Sequence, residues 1–374
     1  MKINVVKLQF IEPLALMAER KDEFQNEVST LASDTLKAAL VSALASVDNE
    51  ETVNAFNTQN IVSSAYPYFE QNGQTLYFFP KPMARLPINE TKDPGHNKKL
   101  KKIQFFDQIL FEKILNNKLI DLDKDAVLWQ GGKFATAKSS VSNIALVSEK
   151  TKIYQAQTEQ RVTIGNLNNF SHQEQGNPFY VSRTYFKHKF LPLNIQRQLS
   201  QYKFSQEEAL KHTQNTGLFF IWEGDKELLD KALNILQYNG IGADKNVGNG
   251  KFTYTFDEIK IHTPESSGQT KYMILSKLIP AENEIENLLN NEATYNLTKR
   301  GGYIAGSSNE AFRHYLKPNI WTFDEGSVFA HVPKGENKDI TGNLDEFVGH
   351  KVYRDGRPIV LPILPHTDKE KNNQ

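Results

Sequence analysis

Apolar residues in the first part of the chain recur first at strand spacing and then at helix spacing. Residues 5–10 alternate as in a half-buried strand. A helix is predicted to begin near Ser33-Asp34-Thr35, because these residue types satisfy the free N–H groups of a starting helix. Its buried face would consist of Leu36, Leu40, Leu44 and Val47. The chain is thus predicted to open with a strand followed by an amphipathic helix.

The next elements complete a recognisable order. Residues 63–68 and 75–79 are predicted to be two strands that turn at Asn72-Gly73, a dipeptide favoured in tight hairpins. A strand over 126–129 follows a helix whose apolar residues are Phe105, Ile109 and Ile114. Strand, helix, strand, strand, helix, strand is the order of ferredoxin-like domains.

The second half repeats this order less regularly. An apolar strand over 218–222 leads into a helix with Asp225 as its N-cap and Gly240 as its stop. The apolar face of that helix would be Leu229, Leu233 and Leu236. A strand that alternates Phe252, Tyr254 and Phe256 comes next, and residues 352–361 are predicted to be a final hairpin turning at Asp355-Gly356.

These patterns predict an α+β protein with two ferredoxin-like (RRM-like) domains and antiparallel sheets. The first domain would span 1–149. The second, a modified version that contains the glycine-rich loop 240–252, would span 150–365. The wholly polar tail, 366–374, is expected to be disordered.

The glycine-rich loop is the strongest candidate for a binding site. It follows a helix and precedes a strand, whereas nucleotide phosphate loops run from a strand to a helix N-terminus. An anion here would have to be held by backbone N–H groups together with Lys245 and Lys251. A plain connection with several tight turns is the simpler alternative. An acyl-CoA pyrophosphate loop is the weakest interpretation, because the loop leads into a strand.

Composition narrows the classes of function. Forty-four basic and 44 acidic residues cancel, so binding to nucleic acid would depend on local basic patches. The lysines of 92–102 are one such patch, although a solvated loop is the usual interpretation of such a cluster. There are no cysteines, and the nine histidines show no metal-ligand spacing, so neither a metal site nor a cofactor is expected. No signal peptide or membrane span is apparent, which favours a cytoplasmic protein without a membrane partner.

Four stretches together resemble one family. They are Ser33-Asp-Thr-Leu36, 240–252, 161–186, and Gly349-His-Lys-Val-Tyr-Arg354 with Leu361-Pro-Ile363. They resemble the RAMP superfamily of CRISPR proteins, which is built from ferredoxin-like domains. Within it the chain is similar to the subunit of type III-A (Csm) effector complexes that caps the 5′ end of the guide RNA.

The resemblance implies a function in defence against foreign nucleic acid. The protein would hold the repeat-derived 5′ handle of the guide RNA (crRNA) and would not be an enzyme. It would dock on the large polymerase/cyclase-like subunit and on the RAMP backbone subunit of the filament. Related backbone subunits cut RNA with an aspartate near this region, but Asp34 has no second acidic partner in a sensible pattern. The alternative is a guide-processing endoribonuclease of the same superfamily with His188 as its general base.

Several residue types suit a single-stranded RNA, whose phosphates need cations and N–H groups and whose bases stack on aromatic rings. Arg183 alternates with Tyr185, although an amphipathic strand with a basic edge fits equally well, and Arg161 fits a phosphate or a surface salt bridge. The family's loops tend to carry arginine, serine or an aromatic residue where this chain has Lys245, Asn246 and Asn249. The predicted RNA-binding residues are Ser33, Asp34, Arg161, Arg183, Lys187, Lys189, Gly242, Lys245, Asn246, Gly248, Asn249, Gly250 and Lys251.

Overall fold

The structure is a computed structural model with helices and mainly antiparallel sheets. It describes residues 1–12, 14, 30–71, 74–89, 94–129, 132–142, 157–163, 180–185, 214–242, 245, 248–304, 315–342 and 350–366. The helices are α1 Ser33–Ala45, α2 Glu50–Gln59, α3 Pro94–Lys102, α4 Gln108–Leu115, α5 Leu122–Asp125, α6 Lys138–Ser142, α7 Lys226–Asn239 and α8 Ile285–Leu288. The predicted α+β class with antiparallel sheets is confirmed.

The main sheet is built from both halves of the chain. Its strands are β1 Lys2–Phe10, β2 Ile61–Val62, β3 Tyr66–Gln71, β4 Gln74–Pro80, β5 Phe105–Asp107, β6 Ala126–Trp129, β7 Phe134–Ala137, β10 Gln214–Glu223 and β11 Phe252–Lys260. They lie in the order β11-β1-β10-β3-β4-β5-β7-β6, with β2 on β10. All of these pairs are antiparallel except β5 with β7.

The pairing of β1 differs from the predicted grouping of elements. β1 lies between β10 and β11, with Val5 opposite Ile221 and Phe10 opposite Phe252. The elements β10, α7 and β11 were expected to close a second-half unit, but they complete the sheet of β1 instead. Residues 72–213 separate β3 from β10 along the chain. Pairing over such a distance leaves no local trace in the sequence.

Both faces of the main sheet are buried. On one face Val6, Leu8 and Phe10 pack with α1 and α7, whose contributions include the predicted Leu36, Leu40, Leu44, Leu229, Leu233 and Leu236. On the other face Ile3 and Val5 join a second core that includes Phe79, Phe106 and Phe111. Val47 is 59% exposed rather than part of the α1 face, because the helix ends at Ala45.

The predicted helix around Phe105 begins later than expected. Phe105 lies in β5, and the side chain of Asp107 accepts a hydrogen bond from the Leu110 N–H at 3.0 Å. Asp107 is therefore the N-cap, and Ile109 faces solvent with 41% exposure. An aspartate that caps the helix thus sets the boundary inside an apolar run.

The C-terminal part contains three small sheets. Its strands are β12 Lys271–Ile274, β13 Leu297–Arg300, β14 Ile320–Phe323, β15 Val328–Phe329, β16 Asn337–Asp339, β17 Tyr353–Asp355 and β18 Val360–Ile363. The sheets are β15-β12-β18, β13-β14 and β16-β17. A separate ribbon pairs β8 Gln157–Thr163 with β9 Tyr180–Tyr185.

The predicted final hairpin is wrong. β17 pairs with β16, and β18 pairs with β12, so the two strands are not partners. Gly356 is bound instead to other segments, because its N–H donates to the Glu336 oxygen at 2.9 Å and its oxygen accepts from the Ile279 N–H at 3.1 Å. Tertiary contacts therefore override the local turn preference of Asp355-Gly356.

Candidate nucleic-acid interface

The stem of the glycine-rich loop is a tight backbone contact. Gly240, with φ at 75°, ends α7, and its N–H donates to the Leu236 oxygen at 2.8 Å. The Ile241 N–H donates to the Gly250 oxygen at 3.0 Å, and Ile241 is buried. A Cβ on Gly250 would overlap the carbonyl oxygen of Ile241, so only glycine permits this approach. The predicted stop at Gly240 is confirmed.

The tip of the loop is turned to solvent. Lys245 and Lys251 are exposed, and the Gly248 N–H donates to the Lys245 oxygen at 3.0 Å. Gly242 and Gly248 have φ values of 94° and 92°, which bend the backbone in a way that L side chains rarely adopt. Among the described residues nothing lies within 4 Å of a Cβ built on Gly248.

Of the two asparagines in the predicted site, only Asn249 is among the described residues. Asn249 is 5% exposed, and it belongs to the buried stem rather than to the tip. Its Nδ2 has no hydrogen-bond partner among the residues that the structure describes. Asn246 lies outside the described residues.

Exposed apolar residues flank the loop and were missed by the sequence analysis. Tyr238, in the last turn of α7, is 72% exposed, and Ile11, just after β1, is 62% exposed. The Ile11 N–H donates to the Lys251 oxygen at 2.9 Å, so the end of β1 adjoins the loop. Tyr238 lies off the apolar face of α7, and that position was the available indication of its exposure. An exposed aromatic ring in the turn that leads into the loop suits base stacking.

Ser33 is buried where α1 meets the C-terminal part. Its hydroxyl accepts from the Lys277 N–H at 2.9 Å, and its own N–H donates to the Ser64 hydroxyl at 2.9 Å. The N-cap of α1 is Ala32, which has no side-chain cap, so the predicted capping role of Ser33-Asp34-Thr35 is wrong. The polar groups are used for tertiary contacts instead.

Asp34 is the centre of a buried ion cluster. The Arg300 guanidinium donates to its carboxylate through Nε at 3.1 Å and through Nη2 at 2.8 Å. Arg354 of the C-terminal Val-Tyr-Arg motif donates to Asp34 Oδ2 and to the Gly301 oxygen, the latter at 2.9 Å. The Asp34 side chain is only 2% exposed. Its carboxylate is therefore occupied and enclosed.

The predicted residues do not form one site. Ser33 is bound to Ser64, which follows Ser63, and the Ser63 N–H donates to the Ile221 oxygen in β10. Ile221 is the partner of Val5 in β1. The glycine-rich loop instead adjoins Phe10 at the other end of β1, five residues further along the strand. Gly242, Lys245, Gly248, Gly250 and Lys251 share one place, whereas Ser33 and Asp34 lie elsewhere.

The arginines of the β8-β9 ribbon are placed by backbone register alone. Arg183 is the Cα partner of Glu159, and Arg161 lies at the irregularity between Glu159 and Val162. Their side chains are not described, and Lys187, His188 and Lys189 lie outside the described residues.

Other candidate features are modest. Lys98, Lys99 and Lys102 of α3 line a shallow depression of about 370 Å³ with Gly95 and Gly132. Among the described residues no group of three His, Asp or Glu side chains is placed to hold a metal ion. No helix in this part of the chain combines the length and apolarity that crossing a membrane requires.

Comparison with solved structures finds proteins that have the same fold as this chain. The chain matches the crystal structure titled Csm3–Csm4 subcomplex of the type III-A CRISPR-Cas interference complex with a TM-score of 0.58 at 18% identity, covering 98% of this chain and 100% of the other. A structure titled Csm1–Csm4 cassette with pppApApA matches at 0.52 and 18%, with the same coverage. At 18% identity these matches show that the chain shares the fold of the Csm4 subunits in those structures.

Sequence comparison finds similarity to Csm4 proteins. Residues 267–363 match the family described as the CRISPR Csm4 C-terminal domain. The Csm4 protein of Methanocaldococcus jannaschii is 26% identical over 369 residues, which covers 90% of this chain and 91% of the relative. That of Mycobacterium tuberculosis strain CDC 1551 is 30% identical over 152 residues, which covers 40% and 48%. The C-terminal part of the chain thus matches the Csm4 family, and the chain is similar to a Csm4 protein over nearly its whole length.

Proposed function

We propose that this chain is the subunit of a type III-A CRISPR effector complex that holds the repeat-derived 5′ handle of the guide RNA in the cytoplasm. The observation that carries the proposal is the exposed tip of the glycine-rich loop. Lys245 is exposed at the tip, between the bent backbone positions Gly242 and Gly248. Lys251 is exposed where the stem leads into β11, and the ring of Tyr238 is exposed in the last turn of α7. Cations and an open backbone suit phosphates, and an aromatic ring suits an unstacked base.

A rigid frame supports the loop. The elements β1, α1, β3, β10, α7 and β11 follow the β-α-β-β-α-β order, and we infer that they form one ferredoxin-like unit. Both ends of the loop are anchored in this unit, at α7 and β11. The division into two ferredoxin-like domains, 1–149 and 150–365, stays a prediction.

The proposed partners follow from the proteins that this chain resembles. The similar structures are titled as complexes of Csm4 with Csm3 or with Csm1. We infer that this chain likewise docks on a RAMP backbone subunit and on the large polymerase/cyclase-like subunit. It would then act as a scaffold at the end of the filament that holds the handle.

The proposed role is not catalytic. Asp34 is enclosed and bound by Arg300 and Arg354, which suits a structural carboxylate rather than one that acts on a substrate. The alternative is guide processing with His188 as base. Incubation of the purified chain with precursor RNA in chelator separates the two, because specific cleavage lost in His188→Ala would establish the enzyme.

Charge reversal in the loop tests the handle-binding role. Lys245→Glu with Lys251→Glu should weaken binding of guide RNA by the reconstituted complex about tenfold at about 0.15 M salt, because phosphate contacts are electrostatic. The matched control reverses two exposed lysines outside the loop, Lys118→Glu with Lys334→Glu. Equal affinities for the two double variants, both folded, would refute the loop as the RNA site.

A further inference from the structure

The ribbon of β13 and β14 has one face that is fixed against the rest of the protein. The Thr298 hydroxyl donates to Asp324 at 2.7 Å, and Arg300, two residues later, donates to Asp34 at 2.8 Å. Thr322, the Cα partner of Thr298, is fully buried. Because side chains alternate along a strand, Thr298, Arg300 and Thr322 define the inner face and fix the orientation of the ribbon.

The opposite face of the same ribbon exposes large apolar side chains. Lys299 is the Cα partner of Trp321, and Leu297 precedes Lys299 by two residues, so these three side chains share one face. Trp321 is 59% exposed, Leu297 is 43% exposed, and Lys299 is exposed as well. Leu297, Lys299 and Trp321 are called the outer ribbon face below. A solvated strand face normally carries polar residues, so its composition indicates an interaction surface.

The outer ribbon face continues from a small buried core. Phe323, the Cα partner of Leu297, is buried, and its ring centre lies 5.4 Å from that of Phe329 and 5.0 Å from that of Tyr295. Leu297 is also the diagonal neighbour of Trp321 across the ribbon. Apolar surface therefore extends from the core around Phe323 out to Trp321, as in a core that two chains complete together.

A protein partner fits this face better than a nucleic acid does. Tryptophan is enriched among the residues that carry the binding energy of protein interfaces, whereas a nucleic-acid site needs several cations for its phosphates. The outer ribbon face contributes one cation, Lys299, and the strands Leu297–Arg300 and Ile320–Phe323 contain no Asp or Glu. A complementary partner would offer an apolar pocket for the indole ring and a carboxylate opposite Lys299.

The position of the ribbon favours the large subunit as that partner. Guide RNA that leaves the glycine-rich loop would continue into the RAMP backbone subunit, so that subunit has to adjoin the loop. The ribbon is anchored instead at Asp34, apart from the loop, through Arg300. Two partners need two separate surfaces, and the outer ribbon face suits the one that does not follow the RNA.

We propose that the outer ribbon face docks on the large polymerase/cyclase-like subunit, with the Trp321 ring in an apolar pocket and Lys299 against a carboxylate of that subunit. The inference rests on the proposed function and names the surface through which one proposed partner binds. The contacts of the inner face hold the ribbon in place before docking, so little chain ordering opposes binding.

Truncation of the tryptophan tests the proposal. Trp321→Ala should lower the affinity of the purified full chain for the purified large subunit at least about tenfold, because an anchoring tryptophan dominates its interface. The matched control is Leu119→Ala, which shortens an apolar side chain with a similar exposure of 60% outside the C-terminal part. Both variants should bind the RAMP backbone subunit as the wild type does. Biolayer interferometry measures the affinities, and equal values of the two variants for the large subunit would overturn the proposal.

Charge reversal provides an independent test that stays decisive if Trp321→Ala does not fold. Lys299→Glu should weaken binding of the large subunit about fivefold, because it places two carboxylates opposite each other. Lys334→Glu is the control, since Lys334 is an exposed lysine elsewhere in the C-terminal part. An affinity of Lys299→Glu that matches this control would contradict the proposal.

Other occupants of the face give different results. The proposal is overturned if Trp321→Ala loses the backbone subunit but keeps the large one, or if it weakens guide-RNA binding by the assembled complex. Self-association of the wild-type chain that disappears in Trp321→Ala would overturn it too. A wild-type chain that binds neither subunit would refute the proposed function itself. If the wild type binds both subunits and Trp321→Ala binds them equally well, this inference alone fails.

Discussion

One charged residue that the sequence offers as an RNA ligand, Asp34, instead holds the fold together. Asp34 lies in a motif at the start of α1, but its partners Arg300 and Arg354 are 266 and 320 residues away. Such distant pairs cannot be inferred from one sequence, because nothing local distinguishes a buried carboxylate from a capping one. By contrast, Asp225 was correctly predicted as an N-cap, since its side chain accepts from the Glu227 and Leu228 N–H groups next to it.

Lys37 is a second buried charge that hydrophobic patterning did not reveal. It lies on α1 with 2% exposure, and its Nζ donates to the Phe56 oxygen at 2.9 Å and to the Asn60 oxygen at 2.7 Å. Burial lowers its pKa to about 7, while Asp355 acts in the opposite direction. The ammonium also lies 3.9 Å from the centre of the Phe56 ring.

This lysine should make stability depend on pH. Between about pH 7 and pH 10.5 the unfolded chain keeps the Lys37 proton that the folded chain has lost, so unfolding binds a proton. The free energy of unfolding should therefore rise with pH across this window, by up to a few kcal/mol (~1.4 per unit). In Lys37→Met this contribution should vanish. Urea titrations at several pH values measure it, and identical pH profiles for the two proteins would contradict it.

Single helices and turns are predicted correctly from the sequence where their stabilising contacts come from residues nearby in the chain. The cap at Asp225, the apolar face of α7 and the stop at Gly240 are confirmed because each depends on residues within one or two turns. The final hairpin failed because Gly356 bonds to Glu336 and Ile279 rather than closing its own turn. The glycine-rich loop combines both cases: its stem is fixed by tertiary packing, while its tip keeps the exposure that binding requires.

Two glycines of the loop should respond differently to alanine. For Gly248→Ala the added Cβ would have no neighbour within 4 Å among the described residues, so the φ of 92° is the expected cost, about 1 kcal/mol. Gly250→Ala has a φ of 76° and would also drive a Cβ into the Ile241 carbonyl, which should cost about 1–3 kcal/mol more. Thermal and urea unfolding of the two variants give the comparison. A Gly250→Ala protein as stable as Gly248→Ala would show that the stem is not packed as described.

For the whole molecule, the grouping of elements was the hardest feature to predict. The types of most strands and helices could be predicted from periodicity, but β1 pairs with β10 and β11, more than 200 residues further along the chain. Residues 72–213 separate β3 from β10, and order along the chain therefore suggested the wrong partners. Of the candidate site, the sequence suggested the glycine-rich loop and its lysines as a prediction, whereas the exposure of Tyr238 was not anticipated.

In the whole molecule, we propose that the handle of the guide RNA lies across the tip of the glycine-rich loop. Photocrosslinking in a reconstituted complex tests this most directly, with 4-thiouridine at single handle positions and mass spectrometry of the crosslinked peptides. The account predicts crosslinks to Tyr238 and to residues 240–252. Efficient handle crosslinks confined to other subunits, or to parts of this chain away from the loop, would contradict it.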